Sequence, residues 1–185
     1  MTRISDVRAR TISVPLDHPT SFSNRQVFKR DYALVEVEGD DGVVGIGFCY
    51  GGNNAGLLVS QAVRELLRPV LLGADAHATE GLWQAMYQES LLHGRCGSVM
   101  RAISILDTAL WDRNARAAGL PLYKYLGASD SDSVPAYASG GYYLDGKTPA
   151  MLGDEMAGYV AQGFKAVKLK VGREDLAGEE ARLAA

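Results

Sequence analysis

Residues 163–172 read GFKAVKLKVG, and the fold class follows from this stretch and its surroundings. The run has the valine-rich, apolar composition of a β-strand. Side chains on a strand alternate between its two faces. We therefore expect Lys168 and Lys170 to point to one side and Val167 and Leu169 to point to the other.

Two neighbouring ammonium groups on a buried strand are costly unless they meet anions or take part in chemistry. Each cation disfavours the charge of its neighbour, so we expect the pKa of both lysines to be lowered. A lysine starts at a pKa of about 10.4, and a base that works at neutral pH requires a pKa near about 7. The alternative for an isolated Lys-x-Lys is a solvated strand end that carries two surface lysines.

The segments around this stretch alternate between strand and helix. Residues 134–139 are predicted as a buried strand, 148–162 as a helix, 165–171 as a second strand and 174–185 as the start of a helix. This order predicts βα units and a parallel sheet. Two parallel strands cannot cover both faces of a sheet, so we expect the chain to be the N-terminal part of a longer protein. The alternative is that residues 134–185 pack as an appendage on the preceding domain.

The N-terminal third has the pattern of an antiparallel meander. Residues 3–14 alternate loosely and end at Pro15, residues 32–38 are rich in valine, and residues 43–48 form the returning strand after a Gly-Asp-Asp-Gly turn. Between the first two strands, the polar residues 16–31 predict a long loop, which is typical of a functional lid.

A glycine-rich loop at residues 50–54 leads into a helical region. Helical spacing begins at residue 55, recurs over residues 78–92 and starts again after Ser98, a candidate N-cap. The apolar stripes comprise Leu58, Ala62, Leu66 and Val70 in the first helix and Val99, Ile103, Leu106 and Leu110 in the third. A polar linker at residues 128–133 separates these helices from the strand–helix region.

Composition narrows the range of functions. The chain has 185 residues, 47% of them hydrophobic, and a formal net charge of -3. This content suffices for a core and gives no indication of a nucleic-acid partner or an anionic membrane. The two cysteines form no disulfide framework or metal pair, and the three histidines are too scattered for a zinc site. Without an apolar leader or a run of about 18 apolar residues, a cytoplasmic protein is expected.

Three motifs resemble one known family. Residues 102–112, AISILDTALWD, and residues 119–127, GLPLYKYLG, are similar to the signature of the helix that closes the capping domain in the mandelate racemase and muconate-lactonizing branch of the enolase superfamily. Residues 163–172 are similar to the base strand of that family. Ile105 stands where a small residue is usual, and Arg113 stands where an apolar one is usual.

The resemblance implies the fold and the domains. Residues 1–127 would form an α+β capping domain, an antiparallel three-stranded meander plus a helical bundle. Residues 128–185 would form the first βα units of a (β/α)8 TIM-like barrel, incomplete in this chain. Enolase-superfamily sites use a Lys or His base with one or two Mg²⁺ ions. Mg²⁺ is therefore the implied cofactor, with no metal ligand in this chain and the ligands beyond Ala185.

The resemblance also implies the roles of individual residues. Lys170 would be the general base that removes the proton α to a carboxylate, and Lys168 would lie beside it. Tyr50 in the glycine-rich loop and Ser139 at the end of the first barrel strand resemble positions that face the substrate. Arg25 belongs to the polar lid, which indicates a hydroxylated or anionic substrate. For Tyr50 the alternative is a half-buried aromatic residue of the loop.

The implied function is metal-assisted abstraction of the proton α to a carboxylate, which racemises or dehydrates a hydroxy acid or acid sugar. The protein would then be a Mg-dependent isomerase or lyase, a homo-oligomer with a small-molecule carboxylate substrate. One alternative is a muconate-type cycloisomerase or dipeptide epimerase. Another is a non-catalytic capping or binding module, if the chain ends at Ala185 in nature.

Overall fold

A computed structural model gives the structure of the chain and describes residues 1–22, 25–52, 55–128 and 132–185, without the side chains of Phe22 and Arg25. The chain divides into two compact units. The first comprises residues 1–14 and 30–132, and the second comprises residues 15–29 and 133–185.

Three strands form one sheet. They are β1 (Ile4–Phe22), β2 (Arg25–Gly39) and β3 (Val44–Gly52), in the spatial order β1-β2-β3. β2 and β3 are antiparallel, and the sheet confirms the predicted three-stranded meander. Two loop predictions are wrong: β1 and β2 occupy most of residues 16–31, and β3 continues through Tyr50 to Gly52.

The second half of β1 lacks the sequence pattern of a strand because neither of its faces is buried. From Arg10 to Thr20 every side chain is exposed or half-buried. Pairing with a neighbouring strand satisfies the backbone polar groups, so such a strand can carry the polar residues that are typical of a loop. The composition of residues 16–31 was therefore a poor guide to their conformation.

The helices of the first unit follow the predicted order. They are α1 (Gly56–Gln61), a π-helical segment (Ala62–Leu67), α2 (Arg68–Leu71), α3 (Thr79–Glu89), a 3₁₀ turn (Ser90–Leu92), α4 (Gly97–Ala117) and α5 (Leu122–Tyr125). α4 buries Ile103, Leu106 and Leu110 as predicted. Ser98 is not its N-cap, because Cys96 occupies that position and makes no side-chain capping hydrogen bond.

The first helical stretch buries a different stripe from the one predicted. The fully buried residues are Val59, Val63, Leu67 and Leu71, whereas Leu58 is 60% exposed. Both series are apolar at a spacing of four residues, so spacing alone could not choose between them. The π-helical segment directly precedes α2, whose second residue is Pro69. Proline lacks the N–H group that an α-helical hydrogen bond requires.

The buried face of the sheet packs against α4. Val35 and Val37 are fully buried on β2, and their partners on β3 are Gly47 and Gly45. A Cβ atom at Gly47 would lie 1.9 Å from the carbonyl oxygen of Ile105 on α4. Glycine therefore permits a close approach of helix and strand that any larger residue would prevent.

Residues 133–185 of the second unit contain two strands and two helices in strict alternation. They are β4 (Ala138–Ser139), α6 (Pro149–Ala161), β5 (Val167–Lys168) and α7 (Leu176–Ala184). β4 and β5 pair in parallel, which confirms the predicted βα units. Both strands are shorter than predicted. β4 ends at Ser139, two residues before Gly141, which adopts a φ of 64°, a left-handed conformation that interrupts an extended strand.

Side chains cap both helices of this unit. The Thr148 hydroxyl accepts a hydrogen bond of 3.3 Å from the amide of Met151 at the start of α6. The Asp175 carboxylate accepts one of 2.8 Å from the amide of Gly178 at the start of α7. Such caps satisfy amides that have no partner within the helix, and they fix where each helix begins relative to the preceding strand.

Candidate active site

Lys168 and Ser139 lie side by side on the two parallel strands. Ser139 is the register partner of Lys168, and the Gly140 amide donates to the Lys168 carbonyl over 2.9 Å. Register partners project from the same face of a sheet. The structure thus brings together two of the predicted site residues, Lys168 beside the proposed base and Ser139 at a position expected to face the substrate. Both residues are exposed, which corrects the expectation of a buried strand in this chain.

The apolar residues of β5 face the helices. Val167 and Leu169 border an apolar cavity of about 380 Å³ together with Leu152 and Met156 of α6 and Leu183 of α7. The lysines do not border this cavity. The alternation predicted for residues 163–172 is therefore present, with aliphatic side chains toward the helices and lysines away from them.

Lys170 follows the end of β5 and is half-buried. Its amide donates to the Gly141 carbonyl over 3.4 Å. Its Nζ lies 5.4 Å from the centroid of the Tyr142 ring, within the range of a cation–π contact. The backbone and the side chain of Lys170 thus both contact the segment that follows β4.

Glu179 on α7 fixes the loop that follows the base strand. Its Oε1 accepts hydrogen bonds from the amides of Gly172, Arg173 and Glu174 at 2.9–3.0 Å and from the Tyr143 hydroxyl. The Tyr143 hydroxyl, with help from the three amides, lowers the pKa of Glu179 to about 2. This carboxylate is therefore occupied as a loop anchor.

Arg182 lies one turn further along α7 and is buried, at 8% exposure. Its guanidinium donates to the carbonyl of Gly141 over 3.1 Å and to that of Lys170 over 3.3 Å. It also lies 4.1 Å from the centroid of the Tyr143 ring, and its Nε is 3.5 Å from Glu179 Oε2. One side chain thus joins the ends of both parallel strands.

Glu155 on α6 holds the end of β4 from the other helix. Its Oε1 accepts hydrogen bonds of 3.1 Å from the Gly141 amide and from the Tyr159 hydroxyl, and its carboxylate pairs with the Lys147 ammonium. Sequence analysis did not select Glu155, Glu179 or Arg182. The only local signal was their helical spacing from caps at Thr148 and Asp175, since their partners lie on other elements.

The two remaining candidates belong to different parts of the chain. Tyr50 lies on β3 in the first unit and is 39% exposed. Its ring centroid is 5.9 Å from that of Tyr32, and its carbonyl accepts a hydrogen bond from Arg101. The side chain of Arg25 lies outside the described residues. Substrate contact by Tyr50, Ser139 and Arg25 stays a prediction.

The described residues do not provide a magnesium site. Across residues 1–22, 25–52, 55–128 and 132–185, no three His, Cys, Asp or Glu side chains lie close enough together to hold a metal ion.

Helices in the same ranges are all too short or too polar to cross a bilayer.

Residues of both units are similar in sequence to proteins of one family. Residues 4–127 match the sequence model of the mandelate racemase / muconate lactonizing enzyme N-terminal domain. The chain is 41% identical to an arabinonate dehydratase of Saccharolobus solfataricus, over 84% of this chain and 41% of that protein. It is 37% identical to a 3,6-anhydro-alpha-L-galactonate cycloisomerase of Streptomyces coelicolor, over 98% of this chain and 50% of that protein.

The fold of the chain is also similar to a solved structure. The chain superimposes on a racemase from Streptomyces coelicolor, crystallised with bound magnesium, with a TM-score of 0.89 and 36% identity. The match covers 98% of this chain and 50% of the racemase. The chain thus spans about half the length of the relatives that it matches.

Proposed function

This chain belongs to the mandelate racemase / muconate lactonizing enzyme family of the enolase superfamily, and from that premise we propose that it supplies the base of an enzyme acting on acid sugars. The enzyme removes the proton α to the carboxylate of a hydroxy acid or acid sugar. One observation carries the proposal: Lys168 and Ser139 are in register on one sheet face, and Lys170 follows at the carboxyl end of the same strand. Barrels of this type place their chemistry at that end.

In the proposed reaction Lys170 acts as the general base. The lone pair of its Nζ takes the α proton, the C–H bond breaks, and the electron pair moves into the carboxylate to give an enediolate. The Lys168 ammonium lies beside this developing negative charge and stabilises it. In a dehydration the enediolate electron pair expels the β-hydroxyl, so that the Cβ–O bond breaks and the hydroxyl leaves as water with a proton from a general acid or from solvent. In a racemisation a proton from a general acid or from solvent adds to the opposite face of the α carbon.

Magnesium enters the proposal through the relatives. The Streptomyces coelicolor racemase was crystallised with this ion, and a divalent cation stabilises an enediolate as a Lewis acid. The described residues of this chain do not fit such an ion. We propose that its ligands come from barrel strands other than those described here. Removal of Mg²⁺ by EDTA should abolish activity in the whole enzyme, and re-addition should restore it.

Cycloisomerisation is the second candidate, and one observation favours it. The 3,6-anhydro-alpha-L-galactonate cycloisomerase matches 98% of this chain at 37% identity. Both reactions begin with loss of an α proton, so the same lysine serves either route. The small carboxylate substrate, assembly into a homo-oligomer and a cytoplasmic location belong to the same proposal.

The test is exchange of the substrate α-hydrogen in D₂O, measured by NMR with the protein as its host produces it. Aldonic and aldaric acids serve as substrates, beginning with arabinonate and 3,6-anhydro-L-galactonate, in the presence of Mg²⁺. Lys170→Ala should lower the exchange rate at least about 10²-fold, because a positioned general base contributes a factor of that order. Lys165→Ala is the matched control, since Lys165 is exposed in the same segment.

The outcomes separate the candidates. Exchange followed by loss of water from the substrate identifies a dehydratase. Exchange with no loss of water, which leaves a mixture of the two substrate configurations, identifies a racemase. Formation or opening of a ring identifies a cycloisomerase. Exchange at the wild-type rate in Lys170→Ala, for both enantiomers of a substrate, would show that Lys170 is not the base. Absence of exchange with every acid would favour the non-catalytic binding module.

A further inference from the structure

α7 directs two charged side chains at the ends of the parallel strands, and neither has a role in the proposed chemistry. Glu179 and Arg182 are three residues apart, so they lie on the same side of the helix. The Asp175 cap fixes where the helix starts. The side-chain exposures are 12% for Glu179 and 7% for Arg182, so both charges are largely withdrawn from water.

Burial of a guanidinium is costly unless its donors find partners. The Nη2 of Arg182 finds them at two backbone carbonyls, those of Gly141 and Lys170. Its Nε makes no hydrogen bond and has the charge of Glu179 beside it. Gly141 lies two residues beyond Ser139, and Lys170 lies two residues beyond Lys168. The partners are therefore equivalent points just past the ends of β4 and β5, and Arg182 sets the spacing between them.

The rest of the cluster holds Arg182 in place. Glu179 Oε2 is 3.5 Å from the Arg182 Nε, and the Tyr143 ring lies beneath the guanidinium at 4.1 Å. Glu179 Oε1 binds the amides that follow Lys170, those of residues 172–174. The backbone of Lys170 is thus secured at its own carbonyl and again two to four residues later.

We propose that Arg182, held by Glu179 and Tyr143, is a positioning residue for the general base: it fixes the Lys170 backbone and through it the direction of the Lys170 ammonium. This inference rests on the proposed function. Lys170 lies between the end of β5 and the loop amides that Glu179 binds, and its side chain contacts the segment after β4 through Tyr142. A displacement of about 1 Å at a reacting group can cost about 10²-fold in rate, so the backbone anchor controls catalysis.

The test compares Arg182→Met and Arg182→Lys with Glu180→Met as the matched control. Glu180 is an exposed neighbour on the same helix, so its variant loses a charge without touching the strands. Arg182→Met keeps an unbranched side chain but cannot donate to the two carbonyls. We expect kcat for α-hydrogen exchange to fall about 10²-fold in Arg182→Met with KM changed less than about threefold. Arg182→Lys can donate to one carbonyl and should recover part of the loss.

A second measurement reports the position of Lys170 without any substrate. Lysine amines are labelled by reductive methylation with ¹³C-formaldehyde, and the Lys170 signal is identified by its loss in Lys170→Arg. The Tyr142 ring should shift this signal upfield in the wild type and in Glu180→Met. In Arg182→Met the signal should move toward those of exposed lysines. In Arg182→Lys it should lie between these positions.

The two measurements distinguish the failure of each proposal. An unchanged Lys170 signal in Arg182→Met, or unchanged kcat in a folded Arg182→Met protein, would overturn the positioning role. If Arg182→Met does not fold, Arg182→Lys decides the matter by the same two criteria. If the wild type exchanges no substrate while the Lys170 signal moves as expected, the positioning role stands and the proposed reaction falls.

Discussion

Arg113 is fully buried on α4, at the position where the family signature usually has an apolar residue. Its guanidinium donates to the carboxylate of Asp41, in the turn between β2 and β3, and to Asn114 Oδ1 over 2.9 Å. The guanidinium holds the pKa of Asp41 below its usual range. A residue that departs from the motif thus connects the long helix to the hairpin.

The two partners of this ion pair should differ in their contributions to stability. Asp41→Asn leaves a buried guanidinium without its counter-charge, so the free energy of unfolding should fall by about 3 kcal/mol. Arg113→Met leaves a carboxylate that is 35% exposed and can be hydrated, so the fall should be about 1 kcal/mol. Urea unfolding followed by tryptophan fluorescence measures both, because Trp83 and Trp111 belong to the first unit.

The double variant provides the internal check. Once Arg113 is replaced, Asp41 has no buried charge to compensate, so Asp41→Asn should add little to Arg113→Met. Equal losses for the two single variants, or simple additivity in the double variant, would contradict this account of the pair.

At the level of elements, two glycines on β3 allow its backbone to pack directly against the backbone of α4. A Cβ at Gly47 would lie 1.9 Å from the Ile105 carbonyl, and one at Gly45 would lie 2.0 Å from the Ala109 carbonyl. Both obstacles are backbone atoms of the helix, which cannot move aside as a side chain can. The helix would have to move away from the whole sheet.

Gly47→Ala should therefore lower the free energy of unfolding by about 3 kcal/mol, at the upper end of the usual cost of overpacking. Gly81→Ala is the matched control. Gly81 lies in α3, is exposed, and a Cβ there would meet no atom within 4 Å. Since alanine favours a helix by up to about 1 kcal/mol over glycine, this control should be neutral or more stable. Thermal unfolding of the two variants decides the matter: equal midpoints would mean that the helix shifts at little cost.

At the level of the whole molecule, acid acts on the two units through different carboxylates. In the first unit Arg8 lowers the pKa of Glu36, and Arg113 lowers that of Asp41. In the second unit the pKa of Glu179 falls from 4.5 to about 2. A carboxylate with a lowered pKa stabilises the folded state fully above its unfolded value and loses that effect as the pH falls through the folded value.

Glu179→Gln should therefore change the acid response of the second unit alone. Between pH 4.5 and about 2, wild-type residues 172–184 should lose protection against hydrogen exchange, measured by mass spectrometry. The variant should have less protection at pH 6 and a smaller further loss on acidification. Comparison at each pH removes the intrinsic pH dependence of exchange. The tryptophan signal of the first unit should respond to acid equally in both proteins, and a changed response there would contradict the assignment.

The sequence alone determined the kind and order of most elements. Helical spacing located α3 and α4, the alternation of strand and helix patterns predicted α6 and α7, and the alternation along β5 placed Val167 and Leu169 opposite Lys168. These features depend on residues that are close together in sequence, so they can be predicted from a local sequence pattern. The three motifs at residues 102–112, 119–127 and 163–172 likewise indicate the family from local sequence.

Features that depend on contacts between residues distant in sequence were decided only by the tertiary structure. The strands at residues 16–22 and 25–31 form because each pairs with a neighbour, although the composition of these residues is that of a loop. The buried stripe of the first helical stretch depended on which of two apolar series entered the core. Arg113 is buried because Asp41, 72 residues away, supplies its charge. Arg182 reaches the Lys170 carbonyl only because parallel pairing brings the ends of β4 and β5 together, and no local pattern encodes such a meeting.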